Sequence, residues 1–251
     1  MTRGVLIYAF NNGEIDYLAM AKWSQKRIKR LLGLDTTIIS NAEQQASSGG
    51  TRTFNDKTSP WLNASRCNAW EDSPYDETIV LDADYIVNSD TLLKLFDTKQ
   101  DFLIHQTVSD VTAQNQFVGQ ESFGELHFPQ SWATVFYFNR AKDNQLIFKT
   151  VRMIKENYSH YANLYKFPRM PFRNDFAFSI ALGMLNGHTI TDNNLIKWPL
   201  TTASTNVVVS VEDDTIKLEY EKNNKHMRLE LRELDLHVMN KKAMEEICAS
   251  S

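Results

Sequence analysis

Val5 to Phe10 is an unbroken apolar run with β-branched and aromatic members, the pattern of a strand buried on both faces. From Glu14 to Leu32 the positions Ile15, Leu18, Ala19, Trp23, Ile28, Leu31 and Leu32 fall near a 3.6-residue period, with Lys22, Lys26, Lys29 and Arg30 largely off that stripe. This predicts an amphipathic helix, and Gly33 ends it. Thr36 to Ile39 reads as a second short strand, whereas Asn41 to Ser59, with Ser47-Ser48-Gly49-Gly50 and no apolar period, reads as a loop. Trp61 to Trp70 is predicted helical, Ser73-Pro74 is a turn, and Thr78 to Val87 is a strand with acids toward its C-terminal end. The β-α-β-α-β order predicts an α/β fold in which a largely parallel sheet carries helices on its faces and binds ligands beyond the carboxyl ends of its strands.

Further along, helices are predicted at Asp90–Phe96, Asp143–Tyr158 and Asp175–Leu185, and strands at Phe102–Gln106 and Ala133–Asn139. Asn186-Gly187 closes the last helix. From Asn206 the texture changes: VVVSV, TIKLEYE and HMRLELREL alternate apolar with polar residues around turn signals, which predicts an antiparallel meander. We expect one domain over residues 1–251, with 206–235 as a β-meander elaboration of it.

Composition narrows the class. At 251 residues the chain can bury a core without staples, and 42% hydrophobic with 11% aromatic residues excludes a disordered segment. Its 27 basic and 31 acidic residues leave a net charge of −4, which argues against gripping nucleic acid by bulk electrostatics alone. Cys67 and Cys248 lie far apart outside any zinc or redox spacing, and read as free thiols in a reducing compartment. The apolar start soon meets Asn11, Asn12 and Glu14, so it fits neither a signal peptide nor a membrane span, and a cytoplasmic location is expected.

The candidate chemistry sits in Leu81-Asp82-Ala83-Asp84-Tyr85. Carboxylates at i and i+2 share one side of an extended chain, and at a strand end they can bind a hard cation and, through it, phosphate oxygens. Two solvated loop acids would show the same spacing, but acids directly after a buried strand have no packing role. The stretch Tyr75-Asp76-Glu77-Thr78-Ile79-Val80-Leu81-Asp82-Ala83-Asp84 resembles the metal-dependent glycosyltransferases of the nucleotide-sugar-binding GT-A fold, particularly the glycogenin-like and lipopolysaccharide-galactosyltransferase-like group. The resemblance implies a GT-A fold, and it implies that Asp82 and Asp84 bind Mn²⁺ or Mg²⁺ bridging the diphosphate of a nucleotide sugar, a UDP-sugar, with Asp82 toward the sugar or ribose.

The same resemblance places Ala9, Phe10 and Asn11 near base and ribose, although Phe10 is equally suited to core packing. It gives Arg66 a donor contact, where a fixed guanidinium suits a diphosphate or sugar, or else a place on the surface. It makes His237 in Leu236-His237-Val238 a third metal ligand, or else an ordinary partly buried histidine, and makes Lys241 or Lys242 a phosphate contact. The family's glycine and its K-P-W ending are absent here. Asn174-Asp175 opens a helix; the acid there is a cap, a general base for the acceptor hydroxyl, or a group positioning sugar or acceptor.

Tyr158 to Arg173 interleaves Tyr158, Tyr161, Tyr165, Phe167 and Phe172 with Lys166, Arg169 and Arg173 and contains no acid. Aromatic faces beside cations suit stacking on sugars or bases. Tyr161, Tyr165, Lys166, Arg169 and Arg173 are therefore the expected acceptor-binding residues, for a glycan or a modified base in DNA; a helix end with a packed loop is the plainer alternative. Two other functions stay open at this point. A metal-dependent nucleotidyltransferase would need a third carboxylate and a phosphate loop, hinted at only by Ser47–Gly50, and a non-catalytic nucleotide- or carbohydrate-binding module would need no metal-ligand histidine.

Overall fold

The structure, a computed structural model, describes residues 1–11, 14–40, 51–53, 64–113, 122–168, 171–189 and 192–249. β1 (Arg3–Ala9) leads to α1 (Tyr17–Leu32), β2 (Asp35–Ser40) and β3 (Thr51–Thr53). A 3₁₀ turn at Ala64–Asn68 runs into α2 (Ala69–Asp72), followed by β4 (Glu77–Asp82) and β5 (Tyr85–Ile86). After a 3₁₀ segment at Thr91–Asp97 come β6 (Phe102–His105), β7 (Val108–Asp110), β8 (Ser122–Phe123), β9 (Phe128–Pro129) and β10 (Trp132–Asn139). The chain continues through α3 (Lys142–Glu156), α4 (Tyr158–Leu164), α5 (Asn174–Leu185) and β11 (Leu200–Ala203). It ends in β12 (Val208–Glu212), β13 (Thr215–Lys222), β14 (Lys225–Arg232), β15 (Leu236–Val238) and α6 (Lys241–Ala249).

The main sheet has the order β3-β2-β1-β4-β10-β6. β3, β2, β1 and β4 pair in parallel, and β10 runs antiparallel to both β4 and β6, so five of these six strands point one way. The expected mostly parallel α/β sheet is present, made mixed by β10.

Strand alternation sorts the core into two layers. Along β1, Val5, Ile7 and Ala9 join one apolar cluster, while Leu6 and Tyr8 join the other. The first layer takes Leu18, Trp23 and Ile28 of α1 and Met244 of α6; the second takes Phe148 and Val151 of α3 and Phe178 and Ile180 of α5. Each such fully buried side chain stabilises the fold by roughly 1.5–3 kcal/mol relative to exposure. α1 starts where the Asp16 carboxylate accepts the Ala19 N–H and ends at Gly33, whose φ of 70° lets its N–H reach the Lys29 carbonyl.

Around this core lie a sheet ordered β5-β15-β11-β7, the meander β12-β13-β14 and the pair β8-β9. The meander falls where the alternating pattern placed it, and its Val209, Ile216 and Leu218 dock onto the first apolar layer.

Several expectations need correction. The strand expected over Thr78 to Val87 breaks at Asp82, and Tyr85–Ile86 departs into the second sheet. Within the expected loop Asn41–Ser59, Thr51–Thr53 forms a parallel edge strand on β2; the remainder, including Ser47–Gly50, lies outside the described residues, as does Arg169. The expected helix Asp90–Phe96 forms instead as a 3₁₀ segment over Thr91–Asp97 that buries Leu92, Leu95 and Phe96; in this tighter helix Leu92 and Leu95, three residues apart, stack on one side. The helix expected to end at Tyr158 stops at Glu156, and Tyr158–Leu164 forms α4, not a loop.

Candidate active site

β4 lies between β1 and β10 with Ile79, Val80 and Leu81 fully buried, so the chain must leave the sheet where it becomes acidic. Asp82 is the last strand residue, Ala83 and Asp84 make the turn, and β5 pairs with β15 in the second sheet. That pairing sets His237 opposite Tyr85, and the Val238 N–H donates to the Asp84 carbonyl at 3.0 Å. His237 Nε2 consequently stands 3.6 Å from Asp84 Oδ1 and 3.9 Å from Asp82 Oδ2. One ligand atom from each of the three residues falls within 4.8 Å of the others.

Two carboxylates and an imidazole make a donor set that suits a divalent cation such as Mn²⁺. Burial pushes the His237 imidazole down to about 4, so near neutral pH it keeps a lone pair available for a metal. The residues present therefore fit the ion that the resemblance implies.

Two cations face the same acids. Arg66, in the middle of the 3₁₀ turn, pairs with Asp82, and its Nη1 donates to the Ala133 carbonyl at 3.0 Å. Lys241, the first residue of α6, pairs with Asp84 and donates to the Val238 carbonyl at 3.2 Å. Burial draws Arg66 down to about 10 and Lys241 down to about 8. On Arg66 the Asp175 carboxylate acts in the opposite sense, whereas the Arg66 guanidinium adds to the lowering of Lys241.

Asp175 sits in the first turn of α5 but does not cap it. Its Oδ1 accepts the Ala133 N–H at 2.8 Å, and its Oδ2 pairs with Arg173 at 3.0 Å. Next to it, the Ser179 hydroxyl donates to the Asp175 carbonyl at 2.6 Å and accepts the Ser131 N–H at 2.7 Å. These bonds fasten α5 to the chain entering β10, the reversed neighbour of β4, and hold Asp175 at the same cleft as the acidic pair.

The cleft has a volume of about 430 Å³. Asp82, Asp84 and Asp175 line it beside Arg66, Arg173 and Lys241, with His237 and Asn174 also in its wall. Its apolar walls include Tyr17, Trp132 and Met239, which sequence reasoning did not assign to the site, and Phe172 of the aromatic segment expected at the acceptor. Trp132 directly precedes a predicted strand and Tyr17 lies inside a predicted helix; neither position carries a periodic signal that distinguishes a cleft from a core.

Other anticipated residues lie elsewhere. Ala9 and Phe10 are buried in the core, Phe10 stacking near Tyr8 with ring centroids 6.3 Å apart. Asn11 serves the start of α1, donating to Asp16 at 2.8 Å and accepting the Leu18 N–H at 3.0 Å. Lys242 is exposed and Lys241 faces the acids, because consecutive helix residues diverge by about 100°. Tyr161 and Tyr165 are buried among Phe128, Phe167 and His188, outside the cleft; Lys166 is exposed in a separate shallow depression with Gly124 and Pro168. Of the described acceptor candidates, Arg173 alone lines the cleft.

No family model matches this chain, and no curated protein matches it. Similar solved structures include the glycosyltransferase GlyE of Streptococcus pneumoniae TIGR4, with 15% identity over 78% of this chain and a TM-score of 0.48. This chain spans 45% of the GlyE chain. They also include the galactosyltransferase LgtC in complex with donor and acceptor sugar analogs, with 13% identity, 98% of this chain and 95% of that one, and a TM-score of 0.49. Both are glycosyltransferases. Among the described residues no helix is long and apolar enough to cross a membrane.

Proposed function

We propose that this chain is a glycosyltransferase that moves a sugar from a nucleotide-diphosphate sugar, with UDP as the nucleotide, to a hydroxyl of a glycan acceptor. The observation that carries the reading is the convergence of Asp82, Asp84 and His237 at the end of a central strand, with Arg66 and Lys241 against the same carboxylates. Asp82, Asp84 and His237 would hold Mn²⁺ or Mg²⁺, which when bound neutralises charge on the leaving diphosphate. Arg66 and Lys241 exchange their carboxylate partners for phosphate oxygens, a role that suits a guanidinium and an ammonium.

Asp175 has one oxygen on the Ala133 N–H and the other on Arg173, so we assign it, with Asn174, to positioning the sugar or acceptor and not to proton abstraction. Trp132 and Phe172 offer the apolar faces on which a sugar ring packs. With Tyr161 and Tyr165 in the core and Lys166 outside the cleft, most of the described basic aromatic segment is withdrawn from the site, and the glycan is the acceptor we favour over DNA. In this reading residues 1–251 form one catalytic unit, with the meander as an elaboration. A nucleotidyltransferase would need a third carboxylate available to metal, and Asp175, the third acid of the cleft, has its oxygens on the Ala133 N–H and on Arg173 instead.

A panel of nucleotide sugars, each assayed for hydrolysis with and without Mn²⁺, tests the proposal because hydrolysis identifies a donor before the acceptor is known. At least one UDP-sugar should be hydrolysed only with the metal. Asp84→Ala should lower that rate at least about a hundredfold while leaving the thermal midpoint near that of the wild type. Undiminished hydrolysis by Asp84→Ala in excess EDTA would overturn it.

A further inference from the structure

His237 reaches the acidic pair through a strand pairing of minimal length. β15 meets β5 over two residue pairs, Leu236 with Ile86 and His237 with Tyr85. A ladder so short specifies its register weakly, and a slip of one residue would turn the imidazole to the opposite face. On its other side β15 pairs with β11, again over only two residue pairs, and Leu236 and Val238 are fully buried; a carboxylate next to the strand adds to what these contacts hold.

Asp235 directly precedes β15 and is only 7% exposed. Its Oδ1 accepts the Asn88 N–H at 2.7 Å, the Ser89 N–H at 2.8 Å and the Ser89 hydroxyl at 3.0 Å, and its Oδ2 receives the Tyr85 hydroxyl at 3.4 Å. All four donors belong to the segment that runs out of the Asp82–Asp84 turn. One carboxylate therefore clamps the strand carrying His237 to the strand that follows the other two ligands. Arg27 braces the same segment from α1, donating to the Val87 carbonyl at 2.9 Å and to the Asp213 carbonyl at 3.1 Å. Asp235 itself is not part of the three-residue cluster.

We infer that Asp235 is a positioning residue for the metal site: its carboxylate fixes the register of β15 against β5 and so aims His237 at Asp82 and Asp84. The inference rests on the metal-binding reading above and adds to it a residue that touches neither ion nor substrate. Partners that orient a ligand without binding the metal commonly change affinity ten- to a hundredfold when removed.

The test is Mn²⁺ affinity of the whole chain, measured from the loss of the free-ion electron paramagnetic resonance signal. Asp235→Ala should weaken binding about ten- to a hundredfold. In a His237→Ala background the same change should cost no more than about twofold, since the ligand it aims is gone. Asp235→Asn should recover much of the loss, because its amide oxygen still accepts the two backbone N–H groups. Wild-type affinity in Asp235→Ala, a loss that adds undiminished to that of His237→Ala, or an Asn variant as weak as the Ala variant would each overturn the inference while leaving the metal site in place. A wild type that binds no Mn²⁺ would overturn the metal reading and this inference with it. If Asp235→Ala fails to fold, the double variant Tyr85→Phe/Ser89→Ala removes the two side-chain donors and spares the backbone. A loss of about three- to tenfold that vanishes in the His237→Ala background supports the clamp, and no loss overturns it.

Discussion

Asp82 and Asp84 carry two negative charges, and Arg66 and Lys241 carry two positive ones against them. The four side chains are thus neutral as a set. A divalent cation arriving alone brings an uncompensated charge of +2 next to buried Arg66 and half-buried Lys241, whereas a cation and the doubly anionic diphosphate of a nucleotide sugar together bring charges that cancel. Metal and donor should therefore bind cooperatively, each supplying what the other needs. Lys241→Met removes one of the competing cations, so Mn²⁺ alone should bind more tightly by about tenfold, equivalent to about 1.4 kcal/mol. The same variant should bind UDP in the presence of Mn²⁺ more weakly. Calorimetric titrations of the variant with Mn²⁺ alone, and with UDP at saturating Mn²⁺, check the two directions; a loss of affinity in both would mean that Lys241 only supports the fold. These residues were legible in the sequence to different degrees. Asp82 and Asp84 announced themselves by spacing and by the buried strand before them, while Lys241 could not be separated from Lys242 until the phase of α6 was known.

At the scale of elements, the strands that build the sheet face water on neither side, and that is why they were readable. β1, β4 and β10 show continuous apolar runs, and each splits its side chains between the two core layers. The second sheet left no such trace. β5, β7, β11 and β15 are two to four residues long and are paired across wide sequence separations, so no window of the chain carries their period. The aromatic segment around Tyr161 and Tyr165 misled for a related reason: stacking surfaces and core aromatics have the same composition, and only packing against Phe123, Phe128 and Phe176 tells them apart. Packing between β1 and the turn before β4 yields a separate prediction. A Cβ on Gly4 would lie 2.4 Å from the Tyr75 ring, which is held by the Thr37 hydroxyl at 3.1 Å and by Arg140 on its carbonyl at 3.0 Å. Gly4→Ala should lower stability by about 1–3 kcal/mol in urea denaturation. Donor hydrolysis per folded molecule should stay unchanged, because Gly4 lies at the end of β1 away from the cleft.

Across the whole molecule, the site is assembled from parts that are distant in sequence. The 3₁₀ turn brings Arg66, the end of β4 brings the acids, α5 brings Asp175, and the segment after the meander brings His237 and Lys241. α1 ties two of these regions together, since Arg27 bonds both to the segment after β5 and to the Asp213 turn of the meander. The central claim is that Asp82, Asp84 and His237 hold a divalent cation that a nucleoside diphosphate completes. The most direct measurement is an electron paramagnetic resonance titration of Mn²⁺ into the wild type and Asp84→Ala, each with and without UDP. The account predicts that UDP tightens Mn²⁺ binding to the wild type by at least about tenfold and that Asp84→Ala loses this response. Equal Mn²⁺ binding by the two proteins, with or without UDP, would contradict it.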